Sequence, residues 1–438
     1  MSNLAINSGP RQMTIDYPQW PIFDDDEINA VTAVIKSGKW GGDWGGKWWR
    51  GFSGWRAENN DDLSDNSGTP QVVLFQDEFA RYHNAAHAVA CANGSVAIEV
   101  ALRALGIGPG DEVIVPPYTF IATASSVLLV NAVPVFVDID PQTYNMDPAR
   151  IEEAITERTK AIIPVHFAGQ LCDMDRIMDI AKKHNLFVIE DCAHAHGSEW
   201  RGRKAGTIGD IGTFSFQSSK TMTSGEGGII ITNNEALAIK CHSFIWVGRD
   251  FGKPWYEFQH LGSNYRLTEF QGAVLRVQLS RLEKQIETRM ENVRYLSEKL
   301  RGIPGIKLVK WDERATKHGF YLIMMQFDST IWGVPRSSFI KALAAEGVNV
   351  SPPYPVPLYN NEVFLNQNFY PKSCPVKCPR YSGCVDYGSF AEKCPVAEHA
   401  CREESLWLGH SMFLGSRKVM DAIAESIRKI WDNKNELK

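Results

Sequence analysis

Strand and helix patterns alternate along the middle of this 438-residue chain, and this alternation constrains the fold more than any other feature. From about residue 75, short apolar runs are separated by amphipathic stretches of helix length. The predicted strands are 87–91, 112–115, 134–137, 161–165 and 186–189, and the predicted helices are 95–105, 119–130, 147–155 and 174–184. Such a chain builds a mostly parallel sheet with helices on both faces, and ligands bind at the carboxyl ends of its strands.

Three segments are predicted around this pattern. Residues 1–74 carry an N-terminal helix and a tryptophan-rich insert over 39–58, residues 75–280 form the large domain, and residues 281–438 form a smaller α+β domain. A long helix over 267–300 leads from the large sheet into the smaller domain, with which the N-terminal helix is expected to pack. The smaller domain is predicted to contain strands 306–309 and 321–327 and helices 336–346 and 416–433.

Composition excludes several classes of function. The net charge of -5 indicates no basic surface for nucleic acid or an anionic membrane. The N-terminal residues lack the apolar core of a signal peptide, and no run approaches the ~18 apolar residues that a membrane span needs. A cytoplasmic protein with small-molecule partners is therefore expected. Nine cysteines, an odd number in a chain without a secretory signal, indicate reduced thiols.

Lys220 lies in the run FSFQSSKTMTSGEGG, where an apolar strand leads into a loop of small residues. Phe214 and Phe216 precede the lysine and Gly227 and Gly228 follow it, so its amine is predicted to be partly desolvated. Desolvation lowers the pKa of an ammonium group and favours Schiff-base chemistry. A solvated lysine in a hairpin turn is the alternative, and this motif alone does not decide between the two.

Asp191 follows the predicted strand 186–189, in the run EDCAH. A carboxylate at the end of a buried parallel strand points into the ligand crevice, although a lone aspartate there is more often a turn or cap residue. Together with Lys220 it provides the minimum apparatus for pyridoxal phosphate catalysis. The carboxylate keeps the pyridine nitrogen protonated, and the lysine holds the cofactor and transfers a proton as base and acid.

A phosphate group also needs a binding site. Asn93, Gly94 and Ser95 lie between a strand and the following helix, where free N–H groups suit an anion, although the same residues describe an ordinary helix cap. Ser215 offers a hydroxyl close to Lys220. Phe120 could lie flat on a pyridine ring, although buried aromatics in such folds are usually core residues.

With these residues assembled, the chain resembles the DegT/DnrJ/EryC1/StrS family of sugar aminotransferases. The resemblance extends from about residue 75 to 280, and six runs carry it, in order: NGSVAIEVALRALGIGPGDEVIVPPYTF, PVFVDID, IIPVHFAGQLCDMD, VIEDCAHAHGS, FSFQSSKTMTSGEGG and GSNYRLTEFQGA. It implies the fold-type-I pyridoxal phosphate architecture. That architecture is a three-layer αβα domain with a mixed, mostly parallel sheet and a smaller C-terminal α+β domain.

The resemblance also implies roles for individual residues. Lys220 matches the lysine that forms the imine with pyridoxal 5'-phosphate, Asp191 the carboxylate at the pyridine nitrogen, and His194 the residue beside the phenolic oxygen. These three are the expected catalytic residues.

Further cofactor contacts are implied in the same way. Gly94, Ser95 and Ser215 match the phosphate contacts, and Phe120 matches the aromatic residue stacked on the ring. Asn264 matches an asparagine that reaches the phosphate of the neighbouring subunit. The resemblance therefore implies a homodimer with shared active sites.

The implied reaction is transamination, because this chain keeps Lys220 where a dehydrating branch of the family has histidine. The implied donor is L-glutamate or L-glutamine, and the acceptor is a keto sugar, often nucleotide-linked, or a ketocyclitol, with pyridoxamine 5'-phosphate formed in the half-reaction. His318 and Tyr354 match substrate-side regions of the family. Two alternatives stay open: a dehydratase or lyase similar to the 3-amino-5-hydroxybenzoate synthases, and a non-catalytic regulatory relative.

The chain departs from the family at two places. The tryptophan-rich insert exceeds the short connection of relatives and is expected to reshape the acceptor site. Near the C-terminus, five cysteines fall in one run, with spacings that match no standard zinc or iron–sulfur pattern. These cysteines, expected to be free thiols in a proline-rich loop, are Cys374, Cys378, Cys384, Cys394 and Cys401.

Overall fold

The computed structural model describes residues 2–41, 68–351, 353–370 and 374–437. Within these residues the strands are β1 (His87–Cys91), β2 (Glu112–Val115), β3 (Val133–Phe136), β4 (Thr159–Ile162), β5 (Phe187–Asp191), β6 (Glu199–Trp200), β7 (Arg203–Lys204), β8 (Ile211–Ser215), β9 (Gly228–Thr232), β10 (Ile306–Leu308), β11 (Leu322–Phe327), β12 (Val350–Ser351) and β13 (Ser405–Gly409).

The helices in the same part of the chain are α1 (Asp25–Ser37), α2 (Gln71–His83), α3 (Gly94–Ala104), α4 (Ala122–Leu129), α5 (Ile151–Ala154), α6 (Met174–His184), α7 (Glu235–Ile245), α8 (Glu269–Leu300), α9 (Ser329–Trp332), α10 (Arg336–Ala345), α11 (Glu362–Leu365), α12 (Phe390–Lys393), α13 (Pro395–His399) and α14 (Arg417–Asp432).

The large sheet has seven strands in the order β1-β9-β8-β5-β4-β2-β3. Strand β9 runs antiparallel to both of its neighbours, and the other pairs are parallel. Successive side chains of a strand point to opposite faces, so Val188 and Ile189 enter two separate hydrophobic clusters. Helices α2, α6 and α8 cover one face, and α3, α4 and α7 cover the other. The predicted three-layer αβα arrangement with a mixed, mostly parallel sheet is confirmed.

Strand β5 extends two residues beyond its predicted end, so Asp191 is its last residue rather than a residue of the following loop. The neighbouring strand explains the extension, because Glu190 pairs with Gly212 and Asp191 with Thr213 of β8. Strand β4 ends earlier than predicted, and Val165 forms only an isolated bridge to Asp191. Pairing with β8 therefore keeps Glu190 and Asp191 in the strand although both side chains are polar.

A second sheet of four antiparallel strands, in the order β10-β11-β13-β12, forms the smaller α+β unit. Helices α10 and α14 pack on it through Phe339 and Ile423, which belong to the same cluster as Met325 of β11. The 32-residue helix α8 connects the two sheets. Residue 280 lies inside this helix, and the predicted domain boundaries stay a prediction.

The N-terminal helix α1 packs against α8. Asp24 and Glu27 form a capping box at its start, and both carboxylates also bind Arg281 of α8, at 2.6 and 3.1 Å. Glu27 further accepts a hydrogen bond from Gln278 Nε2 at 2.7 Å. Polar contacts to one buried helix therefore fix the position of the N-terminal segment.

The structure describes all of the C-terminal cysteine run but only part of the tryptophan-rich insert. Residues 42–58 of the tryptophan-rich insert lie outside the described residues, as do residues 59–67 after it; Trp40 is described, and its ring centroid lies 5.8 Å from that of Phe270. All nine cysteines are described and are free thiols. In the C-terminal run, Cys394 and Cys401 are buried among aromatic residues, whereas Cys384 is exposed. Among the described helices, none has the length and apolarity to cross a bilayer.

Candidate active site

Lys220 lies in the loop between β8 and β9, at the carboxyl edge of the large sheet. Its side chain is half-buried, and its Nζ lies 4.5 Å from the centroid of the Tyr321 ring. Burial lowers the pKa of the Lys220 ammonium to about 8, and the Asp191 carboxylate acts in the opposite direction. At pH 7 about a tenth of this amine is therefore unprotonated and able to act as a nucleophile, far more than for an ordinary lysine.

Asp191 is buried, and both of its carboxylate oxygens accept hydrogen bonds. Oδ2 accepts from Thr123 Oγ1 at 2.8 Å and Oδ1 accepts from the Ala193 N–H at 3.1 Å. Burial raises the pKa of the Asp191 carboxyl, while these hydrogen bonds and the Lys220 charge oppose the rise. The carboxylate is thus held in a fixed orientation at the strand end, where a cationic group would stabilise it.

Glu190, the residue before Asp191, belongs to a buried network of hydrogen bonds. His166 Nε2 lies 3.0 Å from Glu190 Oε2, and His166 Nδ1 accepts a hydrogen bond from the Cys172 N–H at 3.2 Å. Glu190 also accepts hydrogen bonds from the N–H groups of Gly206, Ile208 and Gly209. Because these groups satisfy one another, we interpret the close grouping of His166, Glu190 and Cys192 as structural support for the end of β5.

His194 and Tyr321 form a stacked pair beside Lys220. Their ring centroids lie 4.1 Å apart at an interplanar angle of 26°. His194 Nδ1 accepts a hydrogen bond from the Ala168 N–H at 3.3 Å, and the Ala168 carbonyl accepts from the Tyr321 N–H at 2.9 Å. Burial and the Lys220 charge hold the pKa of His194 well below its ordinary value. The imidazole is therefore neutral with its proton on Nε2.

The turn at Ala168 and Gly169 has an unusual backbone conformation. Ala168 has a φ of 57° and Gly169 a φ of 101°. A Cβ added at Gly169 would lie 2.7 Å from the Phe320 nitrogen and 3.0 Å from the His194 oxygen. Only glycine allows this close approach of three chain segments, so the position of Tyr321 relative to His194 depends on it.

The predicted phosphate-binding residues lie together. Gly94 begins helix α3, and a Cβ on it would lie 2.6 Å from the Cβ of Ser215. Gly228 of β9 packs as closely against Asn93, whose side chain caps the helix by accepting from the Val96 N–H at 3.0 Å. Ser95 is half-buried in the first turn of the helix. The N-terminus of α3 therefore meets the Ser215 hydroxyl at the edge of the sheet.

Two further predicted residues are exposed in the single chain. The Phe120 side chain, just before α4, is 59% exposed. Asn264 is also exposed and forms an isolated bridge with Trp246. The roles predicted for these side chains, on a cofactor ring and at a partner subunit, involve groups outside this chain.

Tyr354 and His318, the two predicted substrate-side residues, lie in different places. Tyr354 packs edge-on against Tyr118 and Trp407 at centroid distances of 5.6 and 4.8 Å. Burial raises the pKa of its hydroxyl, and the nearby Asp191 carboxylate contributes to the rise. The structure brings it to the site of Lys220. His318 instead stacks on Phe320 at 3.7 Å and lines a separate cavity beside α8.

Tyr321, Thr123 and the Ala168 turn were not found by sequence reasoning. Tyr321 lies in the same KHGFY run as His318, where the sequence predicts only a strand. The left-handed backbone at Phe320, with a φ of 49°, separates the two side chains, and no local sequence pattern marks it. Thr123 has no distinguishing sequence signal.

Comparison with known proteins identifies the family of the chain. Residues 59–419 match the model of the DegT/DnrJ/EryC1/StrS aminotransferase family. A protein of Streptoalloteichus tenebrarius, provisionally named an L-glutamine:3-amino-2,3-dideoxy-scyllo-inosose aminotransferase, is 38% identical over 442 residues, which cover 100% of both chains. The L-glutamine:2-deoxy-scyllo-inosose aminotransferase of the same organism is 35% identical over 451 residues, which cover 100% of this chain and 99% of the relative.

A solved structure also resembles the whole chain. The crystal structure of 3-amino-5-hydroxybenzoic acid synthase superposes with a TM-score of 0.80 at 33% sequence identity. The match covers 96% of this chain and 99% of the solved one.

Proposed function

The chain belongs to the DegT/DnrJ/EryC1/StrS aminotransferase family and is an aminotransferase of aminocyclitol or amino sugar biosynthesis, and we propose that it transfers the amino group of L-glutamine to a ketocyclitol with pyridoxal 5'-phosphate as cofactor. One observation carries the chemistry: the half-buried Lys220 amine, with a pKa of about 8, lies at the strand edge that also holds buried Asp191. The acceptor class is supported by full-length similarity to two proteins named as glutamine-dependent cyclitol aminotransferases.

The residues present suit pyridoxal phosphate. A small-residue cradle at Gly94, which a Cβ would fill, lies beside the helix N-terminus and the Ser215 hydroxyl and would hold a phosphate. Asp191 would balance a protonated pyridine nitrogen, and Lys220 would attach the cofactor covalently. When bound, pyridoxal phosphate supplies a carbonyl group for imine formation and a ring that accepts electrons from the substrate carbon.

Lys220 is the proposed proton carrier of the reaction. Because its pKa is lowered to about 8, Nζ can accept a proton from a substrate carbon and return one near neutral pH. The Tyr321 ring lies against Nζ and provides a surface for the amine whenever it is protonated and free.

Asp191 and His194 orient rather than exchange protons. The Thr123 and Ala193 hydrogen bonds hold the Asp191 carboxylate in one orientation, so its charge can face a cationic ring nitrogen. His194 is held as the neutral Nε2–H form by Ala168, so it can donate to a phenolic oxygen without carrying a charge of its own.

Four aromatic side chains form a wall beside Asp191, where we propose that the acceptor binds. Tyr354, Tyr118, Phe167 and Trp407 contact one another at centroid distances of 4.8 to 6.1 Å. The edge of this wall at Tyr354 is close enough to Asp191 for the two to interact electrostatically. Such a wall excludes water and suits the carbon face of a cyclitol ring.

We also propose a homodimer in which Asn264 contributes to the active site of the partner subunit. Four large apolar side chains stand exposed in the loop that precedes Asn264, and exposed apolar patches of this kind mark protein contacts. They are Trp255, Tyr256, Phe258 and Leu261, at 73%, 71%, 48% and 84% exposure. Sedimentation of the purified protein tests this proposal, and a monomer with full activity would contradict it.

A second candidate is a dehydrating reaction on an aminated ring, favoured by the similarity to 3-amino-5-hydroxybenzoic acid synthase over 96% of the chain. The same lysine and carboxylate would serve it. The two candidates differ in the product, because a dehydration removes water in addition to exchanging oxygen for nitrogen.

Absorbance and product analysis test the proposal. The protein loaded with pyridoxal 5'-phosphate should change its visible absorbance on addition of L-glutamine, and Lys220→Ala should abolish the borohydride-reducible link, whereas Lys284→Ala at an exposed position should preserve both. The acceptors to compare are 2-deoxy-scyllo-inosose, scyllo-inosose and a nucleotide-linked keto sugar, with mass spectrometry of the products. No absorbance change with L-glutamine or L-glutamate would refute the aminotransferase mechanism; a dehydrated product would favour the second candidate.

A further inference from the structure

A cavity of about 610 Å³ lies between the C-terminal half of α8, strand β10 and the beginning of β11. Neither Lys220, Asp191, His194 nor Tyr321 lines it. Ala168 and Phe320 line the cavity, while Tyr321, the residue after Phe320, and His194, which accepts from the Ala168 N–H, lie on the Lys220 side, so these residues separate the two spaces. The cavity is therefore distinct from the proposed active site.

Two buried polar side chains form part of the cavity wall. Gln170 is 2% exposed, and its Nε2 makes no hydrogen bond with any described residue. His318 is also buried, and its Nδ1 accepts a hydrogen bond from the Phe320 N–H at 3.0 Å. Burial keeps this imidazole neutral, with a pKa of about 3, so Nε2 carries the proton and is a donor. His318 Nε2 is thus a donor at the cavity wall with no hydrogen-bond partner among the described residues, and a ligand in the cavity would satisfy it.

The rim of the cavity is basic. Four cationic side chains line it against one acidic one, Glu298. The four cationic residues are Arg294, Arg301, Lys307 and Lys310. In the part of the chain that the structure describes, Arg294, Arg301 and Lys307 form no salt bridge. Cations at the end of a helix also complement its dipole, which accounts for Arg301. Lys307 lies on strand β10, so the dipole of helix α8 does not explain the position of its charge.

One wall of the cavity is aromatic. The Arg294 guanidinium lies 5.0 Å from the Trp311 ring centroid, and the Trp311 ring meets Phe320 edge-on at 5.4 Å. Phe320 is stacked in parallel with His318 at 3.7 Å. Flat rings bind favourably against such surfaces, and a guanidinium beside them binds phosphate or carboxylate oxygens in two-point geometry.

We propose that this cavity is a second ligand site, which binds a small organic anion carrying a flat ring, of the nucleoside monophosphate class. The volume lies within the range of about 300–1,000 Å³ that small-molecule sites occupy. The phosphate would lie at Arg294 and Lys307 on the rim, and the ring would lie along Trp311 and Phe320, with His318 Nε2 donating to its polar edge. This proposal is independent of the reaction at Lys220.

Calorimetric titration of the cofactor-loaded protein tests the proposal. AMP and UMP are the probes, and adenosine and inorganic phosphate are the half-ligand controls. We expect saturable binding of at least one nucleotide, with both half-ligands at least about tenfold weaker, because each lacks one of the two contacts.

Variants on the rim locate the binding. The double variant Arg294→Gln, Lys307→Gln should weaken nucleotide binding by about tenfold or more. Lys284→Gln, an exposed charge on an earlier turn of the same helix, is the matched control and should leave binding unchanged. All altered rim residues are exposed, so folding should be preserved.

Three outcomes would overturn the proposal. They are the absence of saturable binding for both nucleotides, undiminished binding in the double rim variant, and nucleotide binding that displaces the cofactor from Lys220 and so occurs at the active site. None of these outcomes depends on whether L-glutamine and a ketocyclitol react, so a failure of the proposed function would be recognised separately.

Discussion

Replacement of Tyr321 by leucine removes the ring that lies 4.5 Å from the Lys220 amine while keeping an apolar side chain there. A ring in this position stabilises the ammonium form by about 1 kcal/mol at a partly buried site. Since about 1.4 kcal/mol corresponds to a tenfold change in an equilibrium, we expect the Lys220 pKa to fall by about 0.7. This shift is measured against the unaltered chain, in which burial lowers the Lys220 pKa to about 8.

The Lys220 pKa is expected to fall because the Tyr321 ring stabilises the ammonium form. Without the ring the ammonium form loses stabilisation, so the neutral amine appears at lower pH. The assay is the rate at which the cofactor-free protein forms its covalent link with pyridoxal 5'-phosphate, followed by visible absorbance across the pH range. The midpoint of the rising limb should move to lower pH in Tyr321→Leu.

Tyr321→Phe is the matched control, because it keeps the ring and removes only the 2.9 Å hydrogen bond to Ser219 Oγ. Its midpoint should stay within about 0.2 of the original value. If leucine leaves the midpoint unchanged or raises it, or if phenylalanine shifts it as far as leucine does, the ring does not stabilise the amine and the reasoning is refuted.

Further predictions concern the groups that hold the site. Asp191→Asn should reduce turnover by about 100-fold or more while phosphate binding is retained, measured by steady-state kinetics and cofactor titration; near-normal turnover would contradict its role. Gly169→Ala should cost about 1–3 kcal/mol in urea unfolding, because its φ is 101° and the Cβ would meet the Phe320 nitrogen at 2.7 Å, and an unchanged midpoint would show that the turn can relax. Burial acts to raise the Glu190 pKa, but His166 and the backbone N–H groups of Gly206 and Gly209 outweigh it and hold the pKa below its ordinary value of 4.5. Its contribution to stability is therefore present above about pH 4.5 and lost as the pH falls through the folded value, so Glu190→Gln should flatten the acid limb of the stability profile.

The sequence was sufficient to predict the positions of the site residues that lie at or just after the ends of strands. Lys220 and Asp191 come together because β5 and β8 are parallel neighbours and their carboxyl ends share one edge. Gly94 and Ser215 meet for a similar reason, since α3 starts at that edge. Patterns of apolar residues are enough to predict this level of structure.

Other features depend on tertiary contacts that no local pattern records. Strand β5 continues through Glu190 and Asp191 only because β8 offers pairing partners. His318 and Tyr321 are close in sequence, yet the left-handed backbone at Phe320 places only Tyr321 against Lys220. The contact that favours this conformation is made by Gly169, about 150 residues earlier in the chain, and a single-sequence pattern cannot register such a contact.

The histidines around Lys220 have a common electrostatic property. Burial lowers the pKa of His196 and His410 to about 3, and that of His194 also lies well below its ordinary value. None of these rings competes for a proton that Lys220 releases near neutral pH, because protonating a buried imidazole beside another cation is unfavourable. In the proposed reaction a proton taken up at Nζ would therefore stay on the lysine until it is returned to a carbon atom. For this reason a pH-dependent step with a midpoint near 8 in the cofactor-free protein should disappear in Lys220→Ala and persist when any one of these histidines is replaced by glutamine.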